Sequence, residues 1–169
     1  MRAAGILVAV AVALALQTTL SRIAIRSTVA VDLVLVVVVY VALTSGPASG
    51  LLTGAFAGLV QDSLSSSVIG IGGLAKTIVG FLAGIIGSQF IVAQSLPRFV
   101  VFFGATVLHA IVFMGLYVLL GLRQFGTPYA AVAGQAAANA VIGVVAFQLV
   151  ELLPGAVERR KAQRGRLRR

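Results

Sequence analysis

The sequence predicts an all-α, polytopic membrane bundle of six transmembrane helices, or of five, and three observations support this prediction. Hydrophobic residues make up 60% of the 169 residues and charged residues only 10%. The mean hydropathy is +1.10. Soluble domains are about 25% charged and disordered chains lack apolar surface, so this composition excludes both classes. An open strand edge would leave backbone groups unpaired in lipid, so the elements we expect are helices.

Six apolar stretches predict the helices in order. The first follows a single basic residue and leads into further apolar stretches, which favours an uncleaved anchor over a cleaved signal peptide. The second is rich in valine, but the bilayer overrides the strand propensity of valine. The second and third have about 13 and 14 residues, so they form a hairpin that is tilted or only partly crosses the membrane, which gives the five-helix alternative. The stretches cover residues 3–20, 31–43, 47–60, 68–92, 99–122 and 128–153.

Basic residues predict the orientation of the bundle and set the end of the chain apart. With six spans, nine basic residues flank one face of the membrane and three flank the other. The positive-inside rule therefore places both termini in the cytoplasm.

Residues 1–157 form the predicted transmembrane bundle, and residues 158–169 form a basic cytoplasmic tail with a net charge of +6. We expect this tail to bind anionic lipid or a cytoplasmic protein rather than nucleic acid. Its basic residues are Arg159, Arg160, Lys161, Arg164, Arg166, Arg168 and Arg169.

Glycines at a four-residue spacing mark one face of the third stretch and one face of the fourth. Helices in lipid associate by close packing, and small residues four apart let two helix backbones approach each other. The spacing therefore predicts a helix-docking face. Its occupant is either the neighbouring helix of the same bundle or a helix of a partner protein. The glycines are Gly46, Gly50, Gly54, Gly58, Gly80 and Gly84.

Charged residues close to or within the apolar stretches are candidate functional side chains, because a charge at bilayer depth is costly. Asp62 closes the third stretch and Lys76 lies within the fourth. The short connection between these stretches predicts an ion pair between Asp62 and Lys76. A functional polar site, or separate snorkelling and capping, are the alternatives. Asp32, at the start of the second stretch, is a competing partner for Lys76.

Three further polar residues lie within the last two apolar stretches. His109 is expected to be neutral and hydrogen-bonded inside the bundle, and a proton or ion carrier that uses His109 and Asp62 is the alternative. Gln135 and Asn139 are four residues apart and share one face of the sixth helix. We expect these two amides to bond to other helices rather than face lipid.

The chain has few residues that could carry out catalysis. It contains no Cys, one His and four acidic residues, so disulfides and thiolate sites are excluded and a catalytic triad would need nearly every candidate. No phosphate-binding loop or dinucleotide-binding motif is present. We therefore expect no enzymatic activity, no cofactor and no metal site.

Acidic, glycine and lysine residues follow a specific order between positions 31 and 84. Asp32 opens the second stretch, and the glycine-striped third stretch ends in Asp62. Gly70, Lys76 and Gly80 then follow in the pattern Gly-x5-Lys-x3-Gly. This order resembles the central signature of the rod shape-determining protein MreD family. The likeness in length and hydropathy extends over the whole chain.

The resemblance implies a multi-pass protein of the bacterial cytoplasmic membrane that belongs to the cell-elongation machinery. It implies a scaffold, required for rod shape and lateral peptidoglycan synthesis, that docks the transmembrane helix of MreC. On this interpretation the protein links the MreB filament to RodA and a class B penicillin-binding protein. The implied architecture is similar to the substrate-binding components of energy-coupling transporters, so a vitamin-binding membrane component is the alternative. The polar residues that would line its outward cavity are Asp32, Asp62, Lys76, Gln135 and Asn139.

Overall fold

The computed structural model describes residues 3–23, 31–65, 68–89, 94–122, 126 and 129–166, and for residues 20–23 and 153–166 it describes the backbone alone. Helices form all the regular structure in these ranges, which confirms the predicted all-α class. The helices are α1 (Ala3–Ile23), α2 (Leu33–Ser45), α3 (Pro47–Leu64), α4 (Ile71–Gln89), α5 (Ser95–Leu119) and α6 (Tyr129–Arg166).

Each helix overlaps one of the predicted apolar stretches; α6 extends furthest beyond its stretch, and α3 and α5 each extend four residues beyond theirs. α5 begins at Ser95 rather than at residue 99, so Arg98 lies inside the helix instead of before it. The helix tolerates this charge because Arg98 forms an ion pair with Glu151 of α6. The backbone of α6 continues past residue 157 as far as Arg166, so the first part of the basic tail extends this helix.

Three helical segments of the described chain are long and apolar enough to cross a bilayer, namely α4, α5 and the Tyr129–Leu152 part of α6. The other apolar segments are shorter. α2 has 13 residues, which at about 1.5 Å per residue is less than the ~30 Å apolar core of a bilayer. Large apolar side chains such as Leu52, Ile111 and Leu149 are exposed on the outside of the bundle, as expected for a surface that lipid covers.

α2 lies at the centre of the bundle and contacts each of the other helices. An amphipathic helix has one polar face, whereas α2 is apolar on every side and is therefore suited to being enclosed by its neighbours. Its many valines provide this all-round apolar surface. The buried residues of α2 are Val34, Leu35, Val36, Val38, Val39, Val41 and Ala42.

Successive helices run in opposite directions, so the bundle has two ends. At one, which we call the Asp32 end, α1, α3 and α5 finish and α2, α4 and α6 begin. The hydrogen bond from Gly73 to Asp62 lies at this end. At the other, the Arg98 end, α2 connects to α3, and Arg98 near the start of α5 meets Glu151 of α6. α5 and α6 pack against each other and reach the rest of the bundle through α2 and α4.

Candidate functional site

The first turn of α2 lies inside the bundle, so its backbone amides need acceptors away from water. The first amides of any helix lack partners within the helix. Asp32 is the N-cap of α2, and its Oδ1 accepts a hydrogen bond of 2.9 Å from the amide of Leu35. Gln17 of α1 accepts a bond of 2.8 Å from the amide of Leu33. Side chains from two elements thus satisfy the buried start of α2.

Asn139 of α6 supplies a third acceptor at the same place. Its side-chain oxygen accepts a hydrogen bond of 3.0 Å from the amide of Asp32, across 107 residues of sequence. Its side-chain nitrogen donates to the hydroxyl of Thr106 in α5 at 3.3 Å, and Thr106 donates in turn to the carbonyl of Phe102. Asn139 is fully buried and joins α6 to both α2 and α5. Gln135, one turn earlier in α6, is half-buried.

Lys76 forms a buried ion pair with Asp32. Its ammonium Nζ lies 2.8 Å from Oδ2 of Asp32, and the two residues are only 3% and 6% exposed. The same ammonium lies 3.3 Å from Nε2 of His109 in α5. Because an ammonium group only donates, Nε2 of His109 is the acceptor in this contact, which puts the proton of a neutral imidazole on Nδ1.

The structure corrects the predicted ion pair between Asp62 and Lys76. Oδ2 of Asp62 accepts hydrogen bonds from the amides of Gly70 and Gly73, at 2.9 and 3.0 Å, where α4 begins. These unpaired amides and the positive end of the helix dipole favour a carboxylate at this position. Asp62 therefore caps α4, and Lys76 pairs with Asp32, the competing partner.

The glycine face brings α3 and α4 into close backbone contact within this chain. A Cβ placed on Gly50 or Gly54 would come within 3.0 Å of the backbone of Gly80 or Lys76, respectively. Gly58 likewise faces the backbone of Gly73. A larger residue at these positions would push the helices apart, so α3 and α4 themselves occupy this face.

The two ends of the glycine series differ in role. Gly84 of α4 lies against the backbone of Pro47, at the start of α3, and continues the close contact. Gly46 does not belong to the docking face, because a Cβ added there would meet nothing within 4 Å. Gly46 is the single residue between α2 and α3, and its φ of 87° is one that glycine adopts readily.

A second charged cluster, at the Arg98 end, was not predicted from the sequence. Arg98 donates two hydrogen bonds to Glu151, at 3.1 and 2.5 Å, and its guanidinium lies 4.5 Å from the centre of the Phe147 ring. The ring of Tyr40 packs on the same Phe147 at 4.5 Å. Arg98 and Glu151 are 53 residues apart, so no local pattern indicates this pair. The sequence analysis also did not identify Gln17 and Thr106 as members of a site. The one sequence signal for them was that each is a polar residue within an apolar helix.

The structure describes no side chains in the predicted basic tail, residues 158–169, so the binding role of this tail stays a prediction. Among the described residues, no group of three or more His, Cys, Asp or Glu side chains is placed to hold a metal ion. What the structure does assemble is one polar network at the Asp32 end, built from α1, α2, α4, α5 and α6. Its members are Gln17, Asp32, Lys76, Thr106, His109 and Asn139.

The family model for the rod shape-determining protein MreD matches residues 2–155 of the chain. The chain belongs to the MreD family. No curated protein and no solved structure matches it. MreD proteins are rod shape-determining membrane proteins, which agrees with the long apolar helices found here. The match includes the whole polar network and the glycine face, and it ends before the basic residues that begin at Arg159.

Proposed function

We propose that this chain is a non-enzymatic scaffold of the bacterial cell-elongation machinery. In this proposal six helices cross the cytoplasmic membrane, with both termini in the cytoplasm. The bundle docks the transmembrane helix of MreC and links the MreB filament to RodA and a class B penicillin-binding protein. The observation that carries the proposal is the MreD family match over residues 2–155.

The alternating helix directions support the six-span arrangement. Because α1 and α6 run in opposite directions, the start of α1 and the end of α6 belong to the same end of the bundle. The basic residues after residue 158 follow α6 at that end, and the positive-inside rule makes it cytoplasmic. The Asp32 end then faces outward, and the short α2 begins below the outer surface.

The buried polar network favours a scaffold over a vitamin-binding component. A ligand cavity needs polar groups that are free to meet the ligand. Here Asp32 is held by Lys76 and Asn139, and Asp62 is held by the first turn of α4. Four of the five polar residues that the alternative needs for its cavity, Asp32, Asp62, Lys76 and Asn139, therefore already bind other parts of the chain.

The glycine face also bears on how a partner helix docks. α3 and α4 occupy this face with their own backbones, so the MreC helix docks on an outward apolar surface of the bundle. The basic tail, continuous with α6, then lies where anionic lipid or the MreB filament can reach it.

Mild-detergent affinity purification of the tagged chain from its own host tests the proposal. Mass spectrometry would identify both co-purified proteins and extracted small molecules. We expect MreC and the wall synthases to be recovered with the full chain, and we expect a variant that lacks residues 158–169 to retain MreC but to bind anionic vesicles less strongly. An unrelated tagged polytopic membrane protein of the same host is the control. Recovery of a stoichiometric small ligand with energy-coupling ATPases, without MreC, would overturn the scaffold proposal.

A further inference from the structure

Three ionisable side chains from three helices meet at one buried point of the bundle. Asp32 caps α2, Lys76 comes from α4 and His109 from α5. We propose that they form a proton-sensitive latch between α4 and α5, closed while His109 is neutral and open when His109 binds a proton. This goes beyond the scaffold proposal and does not depend on any partner protein.

The closed state follows from the hydrogen-bond chemistry of the contact. Lys76 donates to Asp32 at 2.8 Å and to Nε2 of His109 at 3.3 Å. A proton on Nε2 would turn His109 into a second cation and remove the acceptor. Two cations would then compete for one carboxylate in a region of low dielectric constant, where their repulsion is strong. The contact between Lys76 and His109 would break.

No second acid faces His109 to balance the added charge, among the side chains that the structure describes. α4 presents Lys76 and the start of α2 presents Asp32. On α6 the nearby polar side chain is Asn139, which is uncharged and binds Thr106 one turn away. On α5 itself, His109 stacks on the ring of Phe113 at 5.8 Å. A proton at His109 therefore leaves the cluster with an excess positive charge.

The packing of α4 on α5 explains why breaking this contact would separate the helices. Towards the Arg98 end an apolar groove of about 400 Å³ opens between them. Leu82 lies on its α4 wall and Val100 on its α5 wall, while Gly104 provides no side chain to fill it. Small buried side chains, Val79 and Ala83 of α4 and Ala105 of α5, provide apolar contact beside the groove, and the latch adds the polar contact between the two helices. In the proposal α5 together with α6 forms the unit that moves.

Spin labels on the two walls of the groove measure whether the helices separate. The chain has no Cys, so Leu82→Cys with Val100→Cys gives one labelled pair without removing native thiols. Dipolar EPR on the full chain in lipid nanodiscs would follow the label separation between about pH 8 and about pH 4, the range in which a histidine changes charge. We expect the separation to widen at acidic pH.

Two variants give matched controls for the latch. His109→Gln keeps a neutral acceptor for Lys76, so its label separation should stay at the closed value throughout the titration. Lys76→Met removes the α4 side of the latch, so its label separation should have the open value already at about pH 8 and should not widen further on acidification. An unchanged separation in the parent labelled chain, or an equal widening in His109→Gln, would overturn the proposal.

A measurement on the unsubstituted chain keeps the proposal testable if a variant does not fold. His109 is the only histidine, so nitrogen-15 labelling of histidine reports on this side chain alone. We expect a neutral imidazole with its proton on Nδ1 at about pH 8 and an imidazolium at the acidic end of the titration. An imidazole that stays neutral down to about pH 4, or one already protonated at about pH 8, would refute the latch.

Discussion

Replacing Lys76 by methionine is expected to destabilise the bundle by about 3–5 kcal/mol, because it leaves the carboxylate of Asp32 buried without its cation. Methionine has a similar length and fills the apolar part of the site. The carboxylate is only 2.8 Å from the lysine Nζ, and the two side chains are 4% and 8% exposed, so water cannot replace the lost charge. At roughly 2–4 °C per kcal/mol, the midpoint of thermal unfolding should fall by roughly 6–20 °C.

A double-mutant cycle in detergent identifies the partner of Lys76. Asp32→Asn removes the charge but retains a good N-cap for α2. In that background Lys76→Met should cost less than about 1 kcal/mol, because the buried carboxylate is gone. In the Asp62→Asn background Lys76→Met should cost as much as it does alone. The reasoning fails if Asp62→Asn, rather than Asp32→Asn, removes the penalty.

Three further predictions concern other contacts of the bundle, each measured by thermal unfolding in detergent. Gly54→Ala should lower the free energy of unfolding by about 1–3 kcal/mol, because the added methyl group would meet the backbone of α4. Gly104→Ala is the control, since its methyl group would enter open space, and it should be neutral or slightly stabilising. Equal effects of the two substitutions would contradict the packing. Asp62→Ala should lower the free energy of unfolding by about 0.5–2 kcal/mol, because it removes the cap on α4. Asp62→Asn keeps an oxygen that can accept these bonds, so it should lower the free energy less. An equal loss in both variants would argue against capping. Glu151→Gln should destabilise the bundle more than Arg98→Met, because it leaves the buried guanidinium of Arg98 without the charge of Glu151, whereas Arg98→Met leaves an exposed carboxylate; the reverse order would show that the pair is not held as observed.

Composition and periodicity were sufficient to predict the helices. The apolar stretches and the polar residues between them located all six helices that the structure describes, since each helix needs a continuous apolar length and a connection to the next. The spacing of four residues identified the glycine face, because that period is a property of a single helix. The start of α5 was misplaced, because Arg98 looks like a flanking loop residue unless its distant partner Glu151 is known.

The polar network could be predicted only in part. Each member was recognisable as a polar residue at or within an apolar stretch, as Lys76 and Asn139 show. Which residues meet depends on how the helices pack, and the contacts of Lys76 with His109 and of Asp32 with Asn139 span 33 and 107 residues. Proximity in sequence favoured Asp62 as the partner of Lys76. In the structure the unpaired amides at the start of α4 bind the carboxylate of Asp62 instead. The spacing of residues in the sequence does not show that these amides compete with Lys76 for Asp62.

The network has a single origin in the short central helix. Because α2 starts inside the bundle, its first amides need buried acceptors, and Gln17, Asp32 and Asn139 provide them. The use of a carboxylate at Asp32 brings a charge into the interior, and that charge is costly unless a cation is beside it. Lys76 supplies the cation, and its remaining donors in turn require an acceptor, which is His109. Each of these polar residues thus compensates for the charge or the unpaired group of the one before. A substitution at any of them should therefore disturb the start of α2.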